Sequence, residues 1–273
     1  MSIPDPATTG RQVNPYSPES FGVVSPVNEP ETLRRCLAAS PDIADGTVRL
    51  RTVLDARSAP TVIADALTDM DVPFVVYAHQ DVYLPTGFFD ILARQLAELE
   101  ETDPAWAVVG AIGRDAALED KGEVWSTDRG MVVGRPIAGP APIECLDECL
   151  LVLSRRALPF VDTALPHFHL YGVDIVQNAK RAGATSYALP MRIVHHAKPI
   201  TSLGGGYALA HRYMRRKWRA RLPLTTLIAP LERVPWKLWK MRLGARVRSN
   251  VPARHPYGQA TDPVAIAREL GYE

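Results

Sequence analysis

The sequence predicts an α/β fold in which helices cover a mixed central sheet. Short apolar runs rich in β-branched and aromatic residues, such as 21–27 and 72–78, alternate with segments whose apolar residues recur at helical spacing. Runs of the first kind are typical of strands that are buried on both faces of a sheet. Two strand–helix units precede the run at 72–78. Because strand–helix–strand crossovers are right-handed, this order favours a Rossmann-like half-sheet at the start of the domain.

The composition is that of an ordinary globular protein. The chain has 273 residues, of which 47% are hydrophobic and 22% charged, and this length supports a large core. The N-terminus shows no signal-peptide pattern and no apolar run is long enough to span a bilayer, so we expect a cytoplasmic protein. The three cysteines lack the spacing of a metal finger or a disulfide framework, and we expect Cys36, Cys145 and Cys149 to be buried thiols.

The chain begins with residues 1–19, whose many Pro, Thr, Ser and Gly residues predict a flexible arm. The first strand, 21–27, ends at Asn28 and Glu29. A helix over 30–39 follows. Side chains at the end of such a strand commonly contact a ligand, although the same arrangement occurs in any α/β protein.

A second strand is predicted over 47–54, with Arg57 and Ser58 between it and a helix over 59–69. Neither of the first two strands is followed by the GxGxxG turn that binds a dinucleotide. The sequence therefore argues against an NAD-dependent enzyme.

The third strand, 72–78, leads directly into His79, Gln80 and Asp81. This order places the three polar side chains at the carboxyl edge of the sheet, where open α/β folds bind ligands. An imidazole and a carboxylate there could hold a divalent cation or a sugar, and oxygen-rich ligation suits Mg²⁺ or Mn²⁺. The alternative is a solvated loop that caps the helix after Pro85.

The second half of the domain is less regular. A strand is predicted over 106–112, and residues 114–142 are expected to be an irregular loop in which Trp125 shapes a pocket or lies on a surface excursion. In the apolar run 143–153, Asp147 and Glu148 form an acidic pair. Burying carboxylates costs several kcal/mol unless they are paired, so this pair needs a function or must face solvent at a strand edge.

Two polar clusters flank the last predicted helix, 175–182. His169 and Tyr171 precede Asp174, which can cap that helix. A strand over 186–194 then ends at His195 and His196. Because successive strand side chains face opposite sides of a sheet, only one of this pair can reach a given site, and we favour His195.

The run Val-Val-Tyr-Ala-His-Gln-Asp-Val-Tyr-Leu-Pro resembles the HQD variant of the DxD motif in GT-A glycosyltransferases of the family-2-like branch. The resemblance extends over 21–196 and implies a GT-A fold. It implies that Asp81 and a late histidine hold Mn²⁺ or Mg²⁺ on the diphosphate of a nucleotide sugar. The phrase ending in Asp174 is similar to the Gly-x-Glu-Asp segment of inverting enzymes, in which the Asp is the catalytic base. The chain departs from the family at His79, which replaces an Asp, and at Val173, which replaces the Glu.

The implied activity is inverting transfer of a sugar from a UDP-, GDP- or dTDP-type donor to the hydroxyl of a saccharide, a lipid-linked acceptor or a small molecule. The implied donor contacts are Asn28, Glu29, Arg57, Ser58, His79, Gln80, Asp81, Asp147 and Glu148. The implied acceptor contacts are Trp125, His169 and Tyr171, and the implied metal ligands are Asp81 with His195 or His196. The alternatives are a nucleotidyltransferase or metal-dependent phosphohydrolase on a similar fold, or a non-catalytic protein that binds polyanions.

The sequence divides after a catalytic domain over 20–203, and residues 204–273 are expected to form a basic helical appendage. Between Tyr207 and Arg248 there are twelve lysines and arginines and a single acid, Glu232. Tryptophans lie among these charges. This mixture favours peripheral contact with an anionic membrane at the inner face of the cell. Packing on the acidic remainder of the chain is the alternative, and nucleic acid is disfavoured because no nucleic-acid-binding motif accompanies the charge.

Overall fold

A computed structural model of the chain describes residues 16–197, 203–248 and 262–273. Most of the predicted N-terminal arm, residues 1–15, lies outside the described residues. The described part is a mixed α/β structure, which confirms the predicted fold class at that level. In chain order the strands are β1 (Phe21–Val27), β2 (Arg49–Leu54), β3 (Phe74–Ala78), β4 (Val82–Tyr83), β5 (Trp106–Gly110), β6 (Ile112–Arg114), β7 (Asp120–Ser126), β8 (Met131–Arg135), β9 (Ala141–Pro142), β10 (Cys145–Leu146), β11 (Leu150–Ser154), β12 (Thr185–Ala188) and β13 (Val194–His195).

Helices alternate with these strands through most of the chain. They are α1 (Pro30–Arg35), α2 (Pro41–Ala44), α3 (Ala59–Asp69), α4 (Phe88–Thr102), α5 (Tyr171–Arg181), α6 (Gly205–Lys217), α7 (Trp236–Arg248) and α8 (Pro263–Glu269). Short 3₁₀ turns occupy Pro18–Ser20, Leu37–Ala39, Arg155–Phe160 and Arg219–Arg221.

The strands form two sheets. The larger has the order β2-β1-β3-β11-β5-β12-β9, in which β1 pairs in parallel with β2 and β3 while β11 runs antiparallel to β3 and β5. The smaller has the order β10-β6-β7-β13-β4, with β8 added to β7. The parallel strands β1 and β3 end side by side, and the smaller sheet begins next to that edge through β4 and β13.

The apolar run of β3 is buried because helices cover both faces of the larger sheet. Val75 and Tyr77 belong to a core cluster that includes residues of α3, α5 and α6. Val76 and Ala78 belong to a second cluster that includes the buried face of α4. The alternation of a strand therefore divides one continuous apolar run between two cores.

The prediction that 114–142 is an irregular loop is wrong. This region contains the β7–β8 hairpin and the short strand β9. Gly122 and Gly134 both have positive φ (83° and 104°), and a Cβ at Gly122 would lie 2.1 Å from the carbonyl oxygen of Ala111. Glycine is required where a backbone approaches this closely, and these glycines obscure the strand pattern in the sequence.

Several predicted element boundaries also change. The predicted helix 30–39 ends as α1 at Arg35, before a 3₁₀ turn, and the predicted strand 186–194 is divided between β12 in the larger sheet and β13 in the smaller one. The run 143–153 is divided into β10 and β11, so Asp147 and Glu148 lie in the connection between two strands. Helix α5 begins at Tyr171, four residues before the predicted start, after Leu170 adopts a left-handed φ of 67°. Asp174 consequently lies inside the first turn and cannot be the N-cap.

The C-terminal segment is joined to the rest of the molecule by burial. Tyr207, Ala210 and Met214 on α6 belong to the same core cluster as α3 and α5. Helix α8 packs on β4 and β13, and the carboxylate of Glu273 accepts hydrogen bonds from Tyr83 Oη and Thr86 Oγ1. None of the helices in the described ranges has the length and apolar character needed to cross a bilayer.

Candidate functional site: a carboxylate and two histidines at the strand ends

The loops after β1 and β3 are joined by one side chain. Gln80 Oε1 accepts hydrogen bonds from the backbone N–H groups of Asn28 (3.1 Å) and Glu29 (3.0 Å), and Gln80 Nε2 donates to Asn28 Oδ1. Because β1 and β3 are parallel neighbours, their carboxyl ends meet at one edge of the sheet. Gln80 therefore fixes the geometry of the loops on which the candidate site is built.

His79, Asp81 and His195 converge next to this edge, and we call these three residues the strand-end cluster. One ligand atom from each lies within 4.8 Å of the others, and His195 Nε2 is 3.4 Å from Asp81 Oδ1. The backbone creates this convergence: β13 pairs antiparallel with β4, and the N–H of His196 donates to the carbonyl of Asp81 at 2.7 Å. The side chain of His196 is buried outside the cluster, as expected from strand alternation.

Asp81 has the character of a ligand that awaits a partner. Its Oδ1 atom is shielded from solvent, and His195 Nε2 lies 3.4 Å from it without the geometry of a hydrogen bond. Burial alone would raise the pKa of Asp81. The neighbouring His195 and His79 outweigh this effect and lower the pKa to about 2. A buried, ionised oxygen without a donor is rare in folded proteins, and a cation between this oxygen and the two imidazoles would satisfy it. The residues present therefore fit a divalent metal ion.

The orientation of His79 is set by its neighbours. Tyr171 Oη donates to the carbonyl of Glu148 at 2.7 Å, and His79 Nε2 lies 3.0 Å from the same Oη. Since the only tyrosine proton is engaged, His79 Nε2 must donate and its Nδ1 must carry the lone pair. Burial also lowers the pKa of His79, which keeps the ring neutral. A neutral imidazole with a fixed tautomer is suited to metal ligation.

A cavity of about 510 Å³ opens on one side of the cluster. We call it the first cavity. His79, Gln80 and Asp81 form one wall and Asn28 lies in another. The remaining lining is largely apolar and comprises Pro26, Val27, Pro30, Leu54, Asp55, Ala56, Tyr77 and Phe168. A mostly apolar cavity with a few convergent polar groups is the usual form of a small-molecule site.

A second cavity, of about 280 Å³, lies on the other side of the cluster. His195 and Asp147 line it together with Ser126, Asp128 and Arg129. Asp147 Oδ1 accepts from the N–H of Cys149 at 2.9 Å. Burial alone would lower the pKa of His195, but the charge of Asp81 and its contact with the imidazole raise this pKa, with a further contribution from Asp147. The residues of the cluster therefore line two cavities, both largely apolar: His79 and Asp81 line the first, and His195 lines the second beside several charged side chains.

Glu148, in the connection between β10 and β11, directs its carboxylate to the start of α5. Its carboxylate accepts backbone hydrogen bonds from Leu170, Tyr171 and Gly172, while burial and the neighbouring Asp147 raise the pKa of Glu148 well above its ordinary value. A Cβ at Gly172 would lie 2.7 Å from the carbonyl oxygen of Leu146. Glycine at position 172 thus allows the helix to start directly against the loop that carries the acidic pair.

Comparison with known proteins identifies no family for this chain. No family model matches the chain. The chain is 29% identical over 160 residues to "ATP synthase subunits region ORF 6" of Fuscovulum blasticum, a match that covers 55% of this chain and 61% of that protein. The chain thus spans about three fifths of the length of this curated relative.

Two solved structures are weakly similar. The mannosyltransferase PcManGT from Pyrobaculum calidifontis, solved with GDP-Man and Mn²⁺, is 15% identical with a TM-score of 0.41, covering 94% of this chain and 77% of that one. The crystal structure of A197 from STIV is 13% identical with a TM-score of 0.39, covering 62% of this chain and 81% of that one.

Asp174 lies away from both cavities, in the interface between α5 and α6. Its side chain is 1% exposed. Trp218 Nε1 donates to its Oδ1 at 2.7 Å, while Lys217 Nζ (2.7 Å) and Asn178 Nδ2 (3.1 Å) donate to its Oδ2. Because both oxygens are occupied and enclosed, the predicted role of Asp174 as catalytic base does not fit its surroundings.

Three other residues that were predicted to contact donor or acceptor do not line the two cavities. Trp125 packs with Tyr83 and the apolar face of α8, on the side of β7 opposite the second cavity. Ser58 is buried as the N-cap of α3, where its Oγ accepts from the N–H of Thr61, and Arg57 is exposed outside the lining of the first cavity. The predicted roles of Trp125 in acceptor binding and of Ser58 in donor binding are not supported by these positions.

Packing against Tyr207 fixes the position of the predicted acceptor contact His169. Its ring meets that of Tyr207 edge-on, with centroids 5.3 Å apart. Burial lowers the pKa of His169, as do His79 and His167 close by. His169 therefore lies between the cluster and the first turn of α6.

Asp55 and Phe168 line the first cavity but were not selected by sequence reasoning. Asp55 has a left-handed φ of 52° and follows β2 directly, as Asn28 follows β1. The strand-end criterion could have identified Asp55. No comparable signal marks Phe168, which reaches the cavity from the distant segment before α5.

Proposed function

We propose that this protein is a glycosyltransferase that moves a sugar from a nucleotide-sugar donor to an acceptor hydroxyl with the help of a divalent cation, and the two imidazoles of the site favour Mn²⁺ over Mg²⁺. The observation that carries the proposal is the strand-end cluster, in which the buried, unpartnered Asp81 Oδ1 faces two imidazoles between two cavities. His79, Asp81 and His195 would hold the cation. When bound there, a divalent cation supplies positive charge that stabilises the departing nucleoside diphosphate.

The first cavity is the proposed nucleotide site. Its apolar lining suits a base and a ribose, and Asn28 and Asp55 offer hydrogen-bonding groups at the ends of neighbouring strands. Gln80 holds the loop of Asn28 in place, and His79 and Asp81 mark the end at which the diphosphate would lie. The chemistry accommodates UDP, GDP or dTDP sugars, and the GDP-Man and Mn²⁺ bound by the mannosyltransferase similar in fold are consistent with this class.

The second cavity is the proposed acceptor site. It lies across the cluster from the first cavity, so an acceptor there could approach the donor sugar from the side opposite the nucleotide. Such an approach gives inversion. Asp147 lines this cavity beside His195 and its charge has a single backbone N–H donor among the described residues. We assign it the role of general base for the acceptor hydroxyl, in place of Asp174.

A calorimetric titration tests the donor half of the proposal. UDP-, GDP- and dTDP-sugars are titrated with Mn²⁺, with Mg²⁺ and with EDTA. We expect one nucleotide class to bind only when the cation is present. Asp65→Asn, which removes an exposed carboxylate from α3, is the matched control for variants of Asp81 and should bind normally. Cation-independent binding, or none with any nucleotide, would contradict the proposal.

Turnover tests the acceptor half. Asp147→Asn should lower kcat by about 10²–10⁴-fold, the usual contribution of a positioned base, while leaving donor affinity unchanged. Asp128→Asn is the control, because Asp128 lines the same cavity but is held by Ser126. Release of nucleotide at the same rate with and without acceptor would instead identify a metal-dependent phosphohydrolase.

A further inference from the structure

The C-terminal region presents charged and aromatic side chains that the site does not use. On α6, one face is anchored: Lys217 bridges Asp162 and Asp174, and Tyr207 and Met214 are buried. The opposite face carries arginines. Arg212, Arg216 and Arg219 are exposed there, and they line with Arg215 and Arg233 a recess of about 690 Å³.

Among the residues that the structure describes, most of these arginines have no acidic partner. Across residues 16–197, 203–248 and 262–273, no carboxylate forms an ion pair with Arg212, Arg216, Arg219 or Arg233. Arg215 instead donates to the backbone carbonyls of Glu232 and Arg233, which fixes the rim of the recess. Arginines gathered around one recess repel each other unless an anion lies among them, so this geometry indicates an anionic partner.

Exposed aromatic residues adjoin the same recess. Trp236 and Trp239 stack with centroids 5.2 Å apart and are 54% and 55% exposed. Leu238 on the same helix is buried and anchors α7, whereas Val234 and Leu243 are also exposed. Arg233 lines the recess and lies three residues before Trp236, so the chain leads directly from the charged part to the aromatic part.

We infer that this basic surface, formed by Arg212, Arg216, Arg219 and Arg233 with Trp236 and Trp239, docks the protein on an anionic lipid bilayer. Exposed tryptophans separate this partner from other polyanions, because indole rings are favoured at the membrane–water interface. Stable peripheral binding requires two signals. Here the cations are one signal, and the apolar side chains that insert into the bilayer are the other. At a rise of about 1.5 Å per residue, Arg212 and Arg216 lie about 10–17 Å along α6 from its start at Gly205.

Vesicle co-sedimentation tests the electrostatic part. The full chain is incubated with phosphatidylcholine vesicles with and without phosphatidylserine, at low and high salt. Binding should require phosphatidylserine and weaken with salt. The triple variant Arg212→Gln, Arg216→Gln, Arg219→Gln should bind about 100-fold more weakly, since each cation near an anionic surface contributes about fivefold.

The matched control removes the same charge from other elements, with Arg49→Gln, Arg94→Gln and Arg135→Gln on β2, α4 and β8, all exposed. It should bind like the unmodified chain. Equal losses in the two triple variants would overturn the proposal, because binding would then depend only on net charge. So would failure to bind phosphatidylserine vesicles at low salt, or equally tight binding of the unmodified chain to heparin.

Tryptophan fluorescence tests the insertion part. Vesicles containing brominated lipid quench indoles that enter the bilayer, and Trp106 and Trp218 are buried too deeply to be reached. Quenching should be strong in the unmodified chain and largely lost in the double variant Trp236→Phe, Trp239→Phe. Unchanged quenching in that variant, or no quenching while the protein is bound, would contradict docking through this surface. These measurements are independent of whether the chain transfers sugars.

Discussion

Two regions of the molecule bury an aspartate, and they differ in how its oxygens are used. At the α5–α6 interface, Asp174 has a donor on each oxygen and is enclosed by Trp218 and Lys217. In the strand-end cluster, Asp81 Oδ1 is also shielded from solvent, but its neighbour there is the imidazole of His195 at 3.4 Å, without the geometry of a hydrogen bond. Burial of a carboxylate therefore does not distinguish a structural from a functional residue. The unmet hydrogen-bonding capacity of Asp81 does.

The largest test of this contrast is Asp81→Asn. We expect the cation-dependent affinity for the nucleotide sugar to fall by more than about 100-fold, because even residues behind metal ligands account for about 10–100-fold. The melting temperature should change little, since the amide has the same shape. Calorimetry measures the first quantity and differential scanning calorimetry the second. Unchanged cation-dependent affinity would remove Asp81 from the site.

The next test compares two adjacent histidines, His195 at the end of β13 and His196 directly after it. His195→Ala should weaken Mn²⁺ binding by about 10–100-fold, whereas His196→Ala should leave it unchanged, because the imidazole of His196 lies outside the strand-end cluster. Titration of each variant with Mn²⁺, followed by electron paramagnetic resonance of the free ion, measures both. Equal effects from the two substitutions would be inconsistent with the cluster.

Asp174→Asn should produce the reverse pattern. It leaves Lys217 with one acidic partner, Asp162, so we expect the free energy of unfolding to fall by about 2–3 kcal/mol. Donor affinity and turnover per folded molecule should be retained. Urea denaturation measures the loss, and the double variant Asp174→Asn, Lys217→Met should recover part of it, because the buried cation is removed and Asp162 keeps the hydrogen bond from Tyr213. A large fall in turnover with stability intact would restore Asp174 as the base.

The smallest effect is expected from Gln80→Ala. The N–H groups of Asn28 and Glu29 would lose their acceptor, and each net hydrogen bond contributes about 1 kcal/mol. Without Gln80, the loop after β1 would become ordered only when the nucleotide binds, and the free energy of ordering would be subtracted from the free energy of binding. We expect the Kd of the nucleotide to rise about tenfold and the cation dependence to stay the same. A larger effect on the cation than on the nucleotide would place Gln80 in the cluster itself.

The early part of the fold was predictable because its local signals agree. The strand at Phe21–Val27 and the helix at Ala59–Asp69 have the predicted bounds, since an apolar run and a Ser–Ala–Pro helix start each specify one structure. The β7–β8 hairpin was missed because Gly122 and Gly134 lie within its strands, where they allow close backbone contacts, although Gly130 does occupy its turn. The start of α5 was misplaced because Leu170 is left-handed and Gly172 disfavours a helix in isolation.

The site was predictable in part for the same reason. Strand-end reasoning selected His79, Asp81 and His195, because the end of each strand can be read from the chain. The partners of Asp174 could not be read, since Trp218 and Lys217 lie more than forty residues away and meet it only through packing of α6. The resemblance assigned a role by position in a motif, whereas the role depends on which neighbours the fold supplies.

Glu273 extends the influence of the site to the end of the described chain. It binds Tyr83 and Thr86, and the helix before it packs on the strand pair that carries Asp81 and His195. A ligand that holds β4 against β13 therefore also favours docking of α8, and by thermodynamic reciprocity docking of α8 tightens that ligand. Amide hydrogen exchange in α8 should therefore slow when a cation binds to the strand-end cluster. A fusion after Glu273 should weaken this coupling.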